Sequence, residues 1–148
     1  MWVDYARSLD AGIEVRDPVL PGQLAEAERA LGCRIPAKLA SLLLETDGIS
    51  GRHGLPVVWN LKAMVEENKA LRGTAEFRDL YMPFEPILFF GGGPGGDLFG
   101  FVRIPERDHE VFVWDHETDG RWLVSYGLKD YLQKSLAGPG GDWFRGLR

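Results

Sequence analysis

Three groups of residues have the types and spacing from which chemistry could be built. The first is the run Gly91-Gly-Gly-Pro-Gly-Gly-Asp97, set between the apolar segments Ile87–Phe90 and Leu98–Val102. Glycine-rich backbone can turn several amides toward one anion, so a phosphate cradle is the first reading. A P-loop, however, ends in Gly-Lys-Ser/Thr, and a dinucleotide loop leads into a helix. Here Asp97 would repel phosphate and a strand follows. The run therefore reads as a sharp strand connection using glycines at positive φ, or as a place where a protein partner approaches the backbone closely. Asp97 itself is expected to accept hydrogen bonds from loop amides.

The second group is Asp115-His-Glu-Thr-Asp-Gly120, which places acids at alternate positions as a calcium loop does. The match stops there, because Tyr126 stands where a bidentate glutamate is required and the flanks read as strands. A polar hairpin turn accounts for it better. The third group is the histidines His53, His109 and His116, all in segments that read as loops, with Ser41, Ser50 and Ser125 available as partners on paper. Nucleophilic catalysis needs a base oriented by a third group and an oxyanion site, and no signature for either is present, so solvated histidines are expected. Glu66 and Glu67 are neighbours on one helix and diverge, as surface charges do. Cys33, beside a helix stop, reads as a small core residue. Trp59 and Trp114 suit either a core or an aromatic binding spot beside an acidic rim.

Elements must hold these residues in place. Pro21 can open a helix whose apolar positions Leu24, Ala27 and Leu31 recur at helical steps before Gly32 stops it. Ile35-Pro36 opens a second, with Leu39, Leu42 and Leu43 on one face and Asp47-Gly48 at its end, and the two suggest a helical hairpin. The stretch from Ile49 to Pro56 reads as loop. Val57-Val-Trp59 then forms a short strand, and Asn60 caps a helix carrying Leu61, Met64, Val65, Asn68 and Leu71 up to Gly73. The second half changes character. Strands at Ile87–Phe90, Leu98–Val102, Val111–Asp115 and Trp122–Ser125 follow one another at short intervals, which predicts an antiparallel meander. Leu128, Tyr131, Leu132 and Leu136 mark a last amphipathic helix, broken by Gly138-Pro-Gly-Gly141. Trp143 and Phe144 either pack back on the body or belong to a mobile tail.

At 148 residues the chain suits one domain spanning 1–148, with a core over about 21–136 and a tail over 137–148. A single cysteine excludes an internal disulfide and a zinc site of the cysteine–histidine kind, and suggests a reducing compartment. No apolar run is long enough for a membrane span, no signal peptide is recognisable, and a cytoplasmic location is expected. The net charge of −5 disfavours nucleic acid and suits a basic protein partner. That charge is concentrated: between Ile104 and Gly120, Glu106, Asp108, Glu110, Asp115, Glu117 and Asp119 face only Arg107. A solvated hairpin edge and an acidic docking patch both explain such a cluster.

The order of these pieces resembles the SUKH superfamily in its Smi/Knr-type branch. The resemblance runs from about Pro21 to Leu136 and rests on Leu31-Gly32, Ile35-Pro36, Asp47-Gly48, Trp59, Gly96-Asp97 and Trp114 to Glu117. Asp47 where asparagine is common, and an extra Gly-Pro in the loop, depart from the pattern. The resemblance implies an α+β domain, a mainly antiparallel twisted sheet of about four to six strands packed against helices. It also implies a noncatalytic role, and the residues themselves suggest no cofactor and no metal. Many bacterial members are immunity proteins that neutralise a cognate toxin, frequently a nuclease, and fungal relatives act in cell-wall signalling. On that basis the partner is a basic toxin protein, and the candidate contacts are Trp59, Asp97, Asp115, Glu117 and Asp119. A regulatory scaffold for an endogenous partner is the alternative. An enzyme would instead need Asp97, His116 and Glu117 to converge in one pocket.

Overall fold

The opening segment, unassigned from sequence, is helix α1 (Trp2–Leu9) in the computed structural model, which describes residues 1–103 and 106–147. Its first amides have no neighbouring cap. Glu45 supplies one from far along the chain, its carboxylate accepting from the Trp2 and Val3 amides at 3.1 and 3.2 Å. Burial alone would push the Glu45 carboxyl up, but these amides and the terminal ammonium outweigh it and hold it below the usual range. No local pattern announces a cap that lies more than forty residues away.

Helix α2 (Pro21–Leu31) starts at its proline, and Gln23 reaches back to accept from the Leu20 amide at 2.8 Å. Gly32 ends it in the left-handed region at φ 70°. Helix α3 (Ala37–Leu43) turns Leu39, Leu42 and Leu43 fully inward. The expected pairing of these two helices is not the main contact, since α2 packs chiefly on α4 (Leu61–Gly73). Three short strands, β1 (Glu14–Val15), β2 (Ile49–Ser50) and β3 (Pro56–Val58), form a small antiparallel sheet in that order. Two of them lie where the sequence predicts no element, because two-residue strands are too short to show alternation.

After helix α5 (Ala75–Leu80) the predicted meander follows, as β4 (Ile87–Gly92), β5 (Leu98–Arg103), β6 (Glu106–Trp114) and β7 (Arg121–Ser125), paired antiparallel in that order. Helix α6 (Leu128–Ala137) closes the fold. Among the described residues this makes an α+β domain of six helices and two antiparallel sheets. The core is continuous from Trp2 to Phe144. Phe90, Phe99 and Trp143 ring the fully buried Tyr131 of α6 at 5.0, 5.0 and 6.3 Å between centroids. Phe84, Phe89 and Tyr81 gather round Trp114 at 5.1, 6.2 and 5.3 Å.

A bulge in β4 joins the two sheets. Register with β5 slips between Phe89 and Gly91, which leaves Phe90 without a ladder partner. Its carbonyl instead accepts from the Trp59 amide at 2.8 Å, just beyond β3. On the neighbouring residue, Asn68 of α4 acts as a substitute strand: it donates to the Phe89 carbonyl at 2.8 Å and accepts from the Phe89 amide at 2.9 Å. That explains a fully buried amide within an apolar helical stripe. Asn68→Leu is expected to cost about 2 kcal/mol, since two buried backbone groups lose their partner, whereas Lys69→Leu on the exposed side should be near neutral. Comparing their urea midpoints checks it.

Candidate functional site

The glycine run and the acidic turn meet at one end of the four-stranded sheet. β4 continues through Gly92, and the connection is closed by the Gly93 amide donating to the Asp97 carbonyl at 2.8 Å. Gly96 alone of this run has positive φ, 96°, which suits the tight turn into β5. Opposite it, residues 115–120 form the β6–β7 turn. The Asp115 carboxylate accepts from the Glu117 amide at 3.0 Å, its carbonyl accepts from the Asp119 amide at 2.8 Å, and Asp119 adopts φ 60°. The polar hairpin turn is therefore the geometry of this segment.

Among the described acids of the 104–120 run, Glu117 alone is exposed, which differs from the solvated edge, one of the two expectations. Asp97 and Asp115 are fully buried. Arg145, from a 3-10 turn over Trp143–Leu147, donates through Nη2 to Asp97 at 3.1 Å and through Nη1 to Asp115 at 3.0 Å. The tail thus packs back, Phe144 completely buried and Trp143 stacked on Phe99 at 5.5 Å. Asp97 bonds outside its own loop: one oxygen lies 3.1 Å from the His116 amide and 2.7 Å from His116 Nδ1. His116 is therefore an ordered, half-buried partner of a carboxylate and not a solvated side chain. His109, expected in a loop, lies in β6 and is exposed.

Asp119 is half-buried and accepts from Trp114 Nε1 at 2.8 Å, the Met82 amide at 2.8 Å and Arg121 at 3.1 Å. Burial alone would raise the Asp115 and Asp119 carboxyls. The Glu117 amide and Arg145 outweigh it at Asp115, and the Met82 amide, Trp114 and Arg121 do so at Asp119, so both are held below the ordinary range. Of the candidate contacts, Glu117 alone is exposed. The Trp59 side chain packs in the core. The side chains of Glu106 and Asp108, also counted in the acidic run, lie outside the described residues.

Asp97, Asp115 and His116 each bring one ligand atom within 4.8 Å of the others, a spacing a metal ion could use. Arg145 already places positive charge on both carboxylates, and the hydrogen bonds account for the cluster as a structural lock. Glu117 does not join it, and Asp97, His116 and Glu117 line none of four cavities found among the described residues. Sequence reasoning misses Arg145 altogether. No spacing rule connects it to acids thirty and forty-eight positions earlier.

A two-sheet α+β domain whose acids hold its own turns together is the class that fold and site define. A protein-family model, SUKH_6, described as SMI1-KNR4 cell-wall, matches residues 21–132, and the chain belongs to the SUKH superfamily. That superfamily consists generally of noncatalytic immunity and regulator proteins. No curated protein matches the chain. Among the described residues, no helix is long and apolar enough to cross a membrane.

Proposed function

We propose that this domain acts by binding another protein, as a cytoplasmic immunity protein that neutralises a cognate toxin by covering its active surface. Family membership carries the reading. The internal pairing of Asp97, Asp115, His116 and Arg145 supports it, since these residues are engaged with one another and brace a surface. The whole of 1–148 works as one unit, because the tail supplies the arginine that locks the hairpin.

The acidic end meets a basic partner through Glu117, while Asp97, Asp115, Asp119 and Trp59 hold the surface in shape. Charges of this kind accelerate encounter and fade with salt. Co-expression with toxin-domain reading frames cloned from the gene's neighbourhood is the test: rescue of growth and co-purification with one of them are expected, and failure of both sinks the reading. In that complex Glu117→Lys should slow association roughly threefold to tenfold at low salt. Glu66→Lys and Glu67→Lys should change it little, and equal effects would take the hairpin out of the interface.

A further inference from the structure

A cavity of about 470 Å³ lies between the α2–α3 connection and strands β4 and β5, and none of its lining residues belongs to the turn at 115–120. Its volume falls in the range of small-molecule sites, about 300–1,000 Å³. Ile35, Leu88 and Phe101, all buried, make an apolar wall. Arg34 and Arg103 are the cations of its lining, and Glu28 is the one acid. Glu28 is engaged, accepting from the Ile35 amide at 2.8 Å. Arg34 is exposed and makes no ion pair among the described residues. In a chain of net charge −5, this is a basic mouth over an apolar floor.

Arg72, which lines a separate cavity, bonds to residues close in sequence to this lining. It donates to the carbonyls of Leu31 and Ile87 at 3.0 and 3.2 Å, but its buried Nε has no hydrogen-bond partner. Burial first, and then the nearby Arg103 charge, make its protonated form less favourable than usual. Cys33 and Glu85 offset this in part, and with two arginines against one acid among the described lining residues the cavity favours an anion.

We propose that this cavity binds a small organic anion with an apolar body, its acid group held by Arg34 and Arg103 and its body against Leu88 and Phe101. The assignment is independent of the protein-partner reading, and each stands if the other fails. Cys33, a free and half-buried thiol, also lines the cavity and is the only cysteine of the chain, so it reports occupancy directly.

The test uses the full chain, cinnamate as the probe and cinnamyl alcohol as its uncharged counterpart. The readout is the rate at which iodoacetamide alkylates Cys33. Saturating cinnamate is expected to slow that rate at least about fivefold, with the alcohol giving far less protection. Arg34→Gln should raise the half-protecting cinnamate concentration about tenfold, the scale of one charge-assisted hydrogen bond. The exposed Arg34 leaves folding intact, which an unchanged thermal midpoint verifies; Arg103→Gln provides a second variant. No protection by cinnamate, equal protection by the alcohol, or protection indifferent to both arginine variants would overturn the assignment.

Discussion

Gly91→Ala is expected to destabilise the domain by about 3 kcal/mol or more, near the upper end for overpacking. A methyl group at this position would press into the Val57 carbonyl oxygen and lie 2.9 Å from the Tyr131 hydroxyl. Both obstacles are fixed. Tyr131 donates to that same carbonyl at 2.6 Å from a fully buried position, and β3 is tied to β4 by the Trp59 amide on Phe90. Relief requires the two sheets to separate, which breaks hydrogen bonds already buried. Gly95→Ala, four residues on, meets nothing closer than Asp142 Oδ1 at 3.7 Å and should be nearly neutral. Urea unfolding of the pair decides the matter: equal midpoints would show that close approach of the sheets is not what requires glycine at 91.

Asp115→Asn should cost about 2–3 kcal/mol at neutral pH, the scale of hydrogen bonds to a buried charged group, taken below the full range for buried pairs because Arg145 is one-third exposed. The loss should also depend on pH with a definite sign. Asp115 and Asp119 have folded-state pKa values below their unfolded ones, so in acid the unfolded chain binds more protons than the folded one. Their contribution is complete above the unfolded pKa of about 3.9 and disappears as pH falls through the lowered folded values. Wild-type stability should therefore decline below about pH 5, and the gap to Asp115→Asn should narrow over the same interval. Unfolding curves between about pH 7 and pH 2 measure it. A constant gap would mean that shape, not charge, explains the loss.

These two residues also show where sequence reading stops. Glycine at 91 is recognisable as part of a strand connection, but its necessity comes from Val57 and Tyr131, which the chain order does not place beside it. Asp115 is recognisable as a turn residue from Asp-His-Glu-Thr-Asp-Gly, and the turn is there. Its burial was not legible, because the charge that allows it comes from Arg145 in a segment the sequence leaves either packed or mobile. Asn68 is the same case on a helix. Its spacing assigns it to the inward stripe, and only the bulged strand opposite explains why an amide belongs there.

What the sequence by itself determined was periodic and local. Helices at Pro21–Leu31 and Leu61–Gly73, the four-strand meander, the polar turn at 115–120 and the order of motifs that marks the family all arise from side-chain alternation and turn chemistry within a few residues. The tertiary structure alone decided which charges are free. It turned Asp97 and Asp115 inward onto Arg145, left Glu117 outside, and gathered Arg34 and Arg103 about an apolar cavity. The physical reason is that a charge's role depends on its dielectric surroundings and its partners, and both are set by contacts between segments far apart in the chain.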